Sequence, residues 1–264
     1  MQNDDSSVGR LLSRREVLAL FGAAGAALIV GCSGDDDSPT VRAASPTSGA
    51  AGVATAGPSA VATFAAVPSC VVRPEQTEGP YFVDEMLNRS DIRTDPSTGA
   101  ASEGVPVALI FNVSEVVGGD CTSLAGATVD VWHCDALGVY SDVTDTAEGF
   151  DTTGQKFLRG YQLTDVNGQA AFTTIYPGWY QGRTVHIHFK IRTQDGLEFT
   201  SQLYFDDDLT DEVHALSPYA QKGVRTLRND GDGIFGQDGE QLLLALTPSG
   251  EGYAATFDIG LQTG

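Results

Sequence analysis

Short stretches of alternating polar and apolar residues, each ended by turn formers, recur beyond residue 100 and leave little room for helices. The clearest pair flanks Asp165–Gly168, a hairpin-turn signal that separates Tyr161–Thr164 from Ala170–Ile175. Such alternation is typical of strands that bury one face, and sustained helical periodicity is nearly absent. The pattern therefore predicts an all-β fold, an antiparallel β-sandwich.

Other parts of the chain extend this pattern. Six further stretches are predicted strands: Val105–Val113, Ala127–His133, Val185–Arg192, Glu198–Phe205, Gln241–Thr247 and Tyr253–Ile259. The first ends before a Gly118-Gly119 turn, and Glu212–Gln221 is predicted to be a short helix or an irregular loop. We therefore expect one domain over residues 69–264, which is long enough to bury a hydrophobic core.

The first 31 residues have the features of an export signal. Ser13–Leu18 contains a twin-arginine motif, and Val17–Val30 is an uncharged apolar run too short to span a bilayer comfortably. Ile29–Cys32 resembles a lipobox, which predicts that Cys32 carries a lipid; cleavage nearby without a lipid is the alternative. We therefore expect an exported bacterial envelope protein, tethered outside the cytoplasm through Cys32.

Composition separates a linker from the domain. Residues 32–68 consist largely of Ser, Thr, Ala, Gly and Pro, which predicts a flexible linker after the lipidated cysteine. The chain carries a net charge of −20, which argues against binding to nucleic acid or to anionic lipid headgroups.

Three cysteines remain after Cys32: Cys70, Cys121 and Cys134. An oxidising envelope predicts one disulfide and one free thiol. A predicted strand separates Cys121 from Cys134, by roughly 20 Å if it is extended, so these two are poor partners. We favour Cys70–Cys121 and leave Cys70–Cys134 open.

Two of the chain's four histidines lie close together, at His186 and His188. On a strand they point to the same face, about 6–7 Å apart along the chain. Tyr180 and Arg183 shortly precede them. Two imidazoles beside a phenol predict half of a metal site; the alternative is a strand that carries two histidines without a metal.

A second segment, Val131–Ser141, resembles the W-x-x-[DN]-A-x-G-x-Y segment of the intradiol ring-cleavage dioxygenases, the group similar to the β-subunit of protocatechuate 3,4-dioxygenase. Further motifs follow in the family's order, over roughly residues 70–206: Thr77–Phe82, Phe157–Gly160, Thr174–Tyr180, Arg183–His188 and Gln202–Phe205. Several separate motifs in one order are much harder to reach by chance than one motif.

The resemblance implies a non-haem Fe(III) centre and a ring-cleaving reaction. Four residues match the family's iron ligands: Tyr140, Tyr180, His186 and His188. It further implies that Tyr180 leaves the metal when substrate binds, that Arg183 stabilises negative charge on the ring, and that Gln202 lines the pocket. The expected substrates are O2 and a catechol-type aromatic, cleaved to a muconate-type diacid. The resemblance is also compatible with a homo-oligomer.

The chain departs from the family between Tyr180 and His186, where the characterised catabolic members have a longer loop. The short loop predicts a wider or more open pocket and a changed substrate preference. It also lets Tyr176 compete with Tyr180 as the ligand that leaves the metal.

Other residues are predicted to have different roles. We expect His133 to be a hydrogen-bonded core residue and His214 to be solvated, whereas Tyr81 lies either in the pocket or in the core. Asp206–Asp208 and Asn229–Glu240 resemble calcium loops but lack the alternating ligands with a terminal bidentate glutamate.

Two other hypotheses compete with the dioxygenase interpretation. One is a non-catalytic envelope protein that binds metal or phenolic ligands on the same fold, and the other is a copper or zinc site on the same four residues. Arg183 favours the enzyme, because a binding protein does not need a cation beside the ring. The short loop after Tyr180 is the strongest sequence argument against full activity.

Overall fold

The computed structural model describes residues 71–263. The predicted signal peptide, the whole predicted linker with Cys32, and Cys70 lie outside the described residues. The strands are β1 Pro106–Val117, β2 Asp120–Ser123, β3 Thr128–Trp132, β4 Thr144–Asp145, β5 Phe150–Asp151, β6 Arg159–Leu163, β7 Gln169–Ile175, β8 His186–Arg192, β9 Glu198–Tyr204, β10 Thr247–Ser249 and β11 Gly252–Gln262. One α-helix, α1, spans Asp207–His214, and 3₁₀ turns cover Tyr219–Lys222, Asn229–Gly231 and Gly239–Leu242. Across residues 71–263, helices fall short of the length and apolarity that a membrane span requires.

Two sheets and a small hairpin contain these strands. The first sheet has the order β10-β11-β1-β2, with β7 also paired to β1. The second has the order β6-β3-β8-β9, and β4 pairs with β5. All pairs are antiparallel except β1 and β11, which run parallel. The exception is possible because the two strands come from opposite ends of the domain and need no tight turn between them.

Aromatic side chains from both sheets meet in the core. Phe111 on β1 lies 5.2 Å from Phe189 on β8, and Phe189 lies 5.6 Å from Phe257 on β11, measured between ring centroids. All three are at most 2% exposed. Two sheets that share one apolar layer form a β-sandwich, so the predicted fold class is confirmed.

The predicted hairpin is present, and its turn is held by Asp165. The carboxylate oxygen Oδ1 accepts hydrogen bonds from the backbone N–H groups of Asn167 and Gln169, both at 2.8 Å. Gly168 has a φ of 75°, a conformation that glycine adopts at little cost.

Two predicted elements near the C-terminus are wrong or displaced. Gln241–Thr247 is not a continuous strand, although its buried Leu242 and Leu244 alternate. Gln241 and Leu242 lie in a 3₁₀ turn, Leu243 makes a bridge to Tyr204, and Thr247 is the first residue of β10. The helix begins five residues before the predicted Glu212–Gln221, because Asp206 caps it by accepting from the N–H groups of residues 208 and 209.

The described cysteines exclude one of the two predicted disulfide pairings. Cys134 is buried and free, so the Cys70–Cys134 alternative is wrong. Cys121 takes part in a disulfide, and its partner lies outside residues 71–263. The favoured Cys70–Cys121 pairing stays a prediction, because Cys70 is not described.

Candidate metal centre

Both histidines of the His-x-His pair lie on β8, an inner strand of the second sheet. His188 on β8 pairs with Trp132 on β3 and with Gln202 on β9, and His186 pairs with Tyr204. The indole of Trp132 stacks on the imidazole of His188, with 5.0 Å between ring centroids and 6° between planes. Neighbouring strands therefore help to fix both imidazoles, from both sides at His188 and from β9 at His186.

Four side chains that the sequence predicts as ligands converge at this point. The Nε2 atoms of His186 and His188 are 3.0 Å apart, and the Tyr180 hydroxyl lies 3.1 Å from Nε2 of His186. The Tyr140 ring lies 5.7 Å from that of Tyr180 and 6.3 Å from that of His188. Exposure is 8% for Tyr180 and at most 2% for the other three.

Two loops in tight contact deliver the tyrosines. Asp135 accepts hydrogen bonds from the N–H groups of Leu137 and Val139, both at 2.9 Å, which folds the loop before Tyr140. A Cβ on Gly138 would overlap the carbonyl oxygen of Trp179, and a Cβ on Gly178 would overlap that of residue 136. The two loops approach this closely only because both positions are glycine.

Burial determines the protonation of the donor atoms. Nδ1 of His186 lies 2.6 Å from the carbonyl oxygen of Thr184, which can only accept, so Nδ1 carries the proton and Nε2 is free to bind. Burial, helped by the charge of Arg183, lowers the pKa of His186 to about 3, and burial lowers the pKa of His188 well below its usual value. Burial also raises the pKa of the Tyr140 and Tyr180 phenols. Without a bound metal ion the phenols therefore stay protonated.

The donor set fits a metal ion. The Tyr140 hydroxyl is buried and has no hydrogen-bond partner among the described residues, and such groups in native proteins call for an explanation. Two ligands about 2.1 Å from one ion and at right angles would be about 3 Å apart, close to the separation of the two Nε2 atoms. Residues 71–263 contain no cluster of three or more His, Cys, Asp or Glu side chains suited to a metal. The candidate centre thus depends on tyrosine oxygens as much as on histidine nitrogens.

The predicted polar residues Arg183 and Gln202 lie beside the donors. One Arg183 nitrogen, Nη1, is 3.5 Å from Nε2 of His186, and another, Nη2, donates to Oε1 of Gln202 at 2.6 Å. Nε2 of Gln202 donates to the carbonyl oxygen of Thr77 at 2.8 Å. A cation is therefore held at the edge of the four-donor cluster.

The chain is similar to known proteins in both sequence and fold. Residues 77–262 match the Dioxygenase_C family model, described as Dioxygenase. An intradiol ring-cleavage dioxygenase from Tetranychus urticae is 29% identical, with a TM-score of 0.65 over 73% of this chain and 95% of that one. The chain belongs to the intradiol ring-cleavage dioxygenase family.

Two further relatives show the range of the family. The dioxygenase domain of a dioxygenase carbohydrate-binding protein fusion from Streptomyces sp. SirexAA-E is 29% identical, with a TM-score of 0.53 over 74% of this chain and all of that domain. A chlorocatechol 1,2-dioxygenase from Pseudomonas putida is 33% identical over 138 residues, which are 40% of this chain and 49% of the relative. The chain spans about half the length of the curated relatives it matches.

Within this intradiol dioxygenase-family domain, Tyr81 belongs to the site and Tyr176 does not. The Tyr81 ring stacks on Tyr140 at 4.3 Å and meets Tyr180 edge-on at 6.0 Å. It is half-buried, and its hydroxyl donates to Asp145 in the β4–β5 hairpin. Tyr176 instead bonds to Thr210 Oγ1 at 2.7 Å in the core, where its ring lies 6.1 Å from that of His214.

The other two histidines have structural roles. The ring nitrogens of His133 lie 2.7 Å from the carbonyl oxygen of Cys134 and 2.6 Å from Oγ1 of Thr174, in keeping with a hydrogen-bonded core residue. The prediction that His214 is solvated is wrong: it is 7% exposed, and Nε2 lies 3.0 Å from the carbonyl oxygen of Pro177. The polar residues next to it in sequence favour exposure, but His214 lies on the buried face of α1.

Asp232 also contacts the site, and no motif in the sequence predicts it. Its carboxylate accepts from Nε of Arg183 at 2.9 Å, although the segment around it resembles only a calcium loop in sequence. No local pattern connects two residues that are 49 positions apart.

Proposed function

We propose that this protein is an intradiol dioxygenase that cleaves catechol-type aromatics with O2 to muconate-type diacids. Fe(III) would be held by Tyr140, Tyr180, His186 and His188. The observation that carries the proposal is the convergence of these four buried donors, one of them a phenol without a hydrogen-bond partner among the described residues. Ferric iron bound there would act as a Lewis acid toward a chelating catecholate. The relatives named as catechol and chlorocatechol 1,2-dioxygenases support this class of substrate.

Tyr180 would accept a proton from the substrate. It is the most exposed of the four donors, at 8%, and lies in the short loop that leads to β8. Because burial raises the pKa of its phenol, a Tyr180 phenolate away from a cation readily takes up a proton. A catechol hydroxyl at the same position would supply it.

Arg183 would stabilise negative charge that develops on the ring. Its guanidinium is fixed by hydrogen bonds to Gln202 and Asp232, so it need not reorganise as charge moves. Tyr81 covers the ring of Tyr140 and, with its partner Asp145, limits the access of water.

Labelled oxygen tests this reaction. The iron-loaded protein is mixed with catechol under ¹⁸O2. The products are then separated, and their masses are measured by mass spectrometry. A ring-opened diacid that carries both labelled atoms is expected, with none from zinc-loaded protein. If catechol is recovered intact from fully iron-loaded protein, the chain is a binding protein on the same fold.

We also propose that the protein acts outside the cytoplasm, attached to the membrane through Cys32, with a Cys70–Cys121 disulfide. The twin-arginine motif and the lipobox support export, and the disulfide state of Cys121 suits an oxidising compartment. Labelling with radioactive palmitate in bacteria that express the full chain tests the anchor. Label is expected on the wild type and should be absent from Cys32→Ala; equal labelling of both would rule the anchor out.

A further inference from the structure

The segment that resembles a calcium loop packs directly against the loop before the His-x-His strand. Asn229 and Asp232 are 9% and 3% exposed, whereas the intervening Asp230 is exposed. Both buried side chains point to Arg183 and Thr184, which lie just before β8. A distant part of the chain therefore supports the start of the strand that carries both histidines.

Hydrogen bonds hold Asp232 in one orientation. Oδ2 accepts from Nε of Arg183 at 2.9 Å and from the N–H of Thr184 at 2.8 Å. Oδ1 accepts from the N–H groups of Ile234 at 2.7 Å and Phe235 at 3.2 Å. A carboxylate has room for about four such donors, so both oxygens are fully used.

Asn229 completes the support of Thr184. Its Oδ1 accepts from the Thr184 hydroxyl at 2.6 Å, and its Nδ2 donates to the carbonyl oxygen of Phe205 at 2.8 Å. Thr184 is thus held through its backbone and its side chain. Its own carbonyl oxygen receives the Nδ1–H of His186 at 2.6 Å, which sets the direction of that imidazole.

We propose that Asp232 is a positioning residue for the ring-cleavage site. Its carboxylate directs the Arg183 guanidinium toward the donors and, through Thr184, orients His186. The inference rests on the proposed function for its effect on catalysis, but the contact itself can be tested without iron. Asparagine at this position would lose the charge that faces a guanidinium only 14% exposed, and its amide could not accept from all four donors.

Asp232→Asn is the test variant, and Asp230→Asn is the matched control. Both remove one negative charge from neighbouring positions, but only Asp232 contacts Arg183. Iron content, the thermal midpoint, and kcat and KM for catechol are measured for each. We expect kcat per bound iron to fall roughly 10–100-fold in Asp232→Asn and to remain at the wild-type value in Asp230→Asn, since residues that orient metal ligands have effects of this size.

A second measurement uses metal-free protein. Phenylglyoxal modifies accessible guanidinium groups, and peptide mass spectrometry reports the extent of modification at Arg183. We expect Arg183 to react faster in Asp232→Asn than in Asp230→Asn or the wild type. Equal Arg183 reactivity and equal kcat per iron in the two variants would overturn the proposal, even if Asp232→Asn were less stable.

If Asp232→Asn does not fold, Asp232→Glu replaces it, because it keeps the charge and shifts the carboxylate by one methylene. A kcat per iron below the wild type, with unchanged iron content, is then expected. Wild-type kcat in Asp232→Glu would contradict a role in precise orientation. If the wild type itself does not cleave catechol, the proposed function fails, while the reactivity of Arg183 still decides whether Asp232 holds it.

Discussion

The two kinds of candidate ligand are positioned by different parts of the fold. His186 and His188 lie on β8, between β3 and β9, where the regular register of a sheet sets their direction. Tyr140 and Tyr180 come from two loops whose backbones touch at Gly138 and Gly178. The sheet sets the face on which the nitrogen donors lie, with Thr184 orienting the imidazole of His186, whereas the oxygen donors depend on the geometry of two loops.

Removing a donor from the strand should have the largest effect. His188→Gln should lower iron affinity by more than about 100-fold, because outer residues that merely orient ligands already account for 10–100-fold. Iron content after dialysis measures this. His133→Gln is the control, since that buried histidine bonds to Cys134 and Thr174 rather than joining the donors. Equal iron loss in both variants would show that the effect is one of folding.

A substitution that pushes apart the loops that carry Tyr140 and Tyr180 should disturb the two tyrosines but not His186 and His188. Gly138→Ala would place a methyl group against the carbonyl oxygen of Trp179 at a φ of 81°, so we expect a loss of stability of about 2–4 kcal/mol and a lower kcat. Gly149→Ala introduces the same backbone strain at a φ of 80° in open space. Its loss should be about 1–2 kcal/mol, with normal kcat. Denaturant unfolding and kcat per iron compare the two.

A change at Tyr81, whose ring stacks on the candidate oxygen donor Tyr140, should have a smaller effect. Tyr81→Phe keeps the ring stacked on Tyr140 but removes the hydrogen bond to Asp145. A change of about two- to tenfold in KM is expected, with kcat nearly unchanged, because one partly exposed hydrogen bond is lost. Tyr161→Phe on β6 is the control. If kcat falls with unchanged KM, Tyr81 acts in the reaction itself rather than in access to it.

The smallest effect is expected at a carboxylate outside both regions. The hydrogen bond from Arg225 lowers the pKa of Asp211 on α1, so the pair stabilises the folded state above about pH 4 and loses this effect as pH falls through the folded-state value. Because Asp211 is 43% exposed, the contribution should be below about 1 kcal/mol. Asp211→Asn should reduce stability at neutral pH and not at pH 2, with kcat unchanged; a changed kcat would link α1 to the site.

Much of this arrangement could be predicted from local patterns. The two-residue period of a strand is enough to place His186 and His188 on one face, and Asp165–Gly168 identifies its own turn. Gln241–Thr247 shows the limit of such patterns, because Leu242 and Leu244 alternate in burial although only Thr247 of this segment belongs to a strand.

Contacts between distant segments could not be predicted. Asp232 lies in an acidic segment of the kind that is typical of exposed loops. Only the folded chain brings it against Arg183. His214 is buried through packing on Tyr219, with ring centroids 5.2 Å apart, which its polar surroundings in sequence do not indicate. The family motifs predict the four candidate donors but not the residues that hold them in place.

A visible spectrum of the iron-loaded protein tests most directly whether the tyrosines and histidines bind one iron together. The spectrum is recorded alone, then with catechol in the absence of oxygen, and then in air, for the wild type and for Tyr140→Phe. We expect a tyrosinate-to-iron band in the wild type that shifts with catechol and decays in air as a diacid forms, and an altered band without turnover in Tyr140→Phe. A fully iron-loaded wild type without such a band would show that the tyrosines are not ligands and would contradict the account.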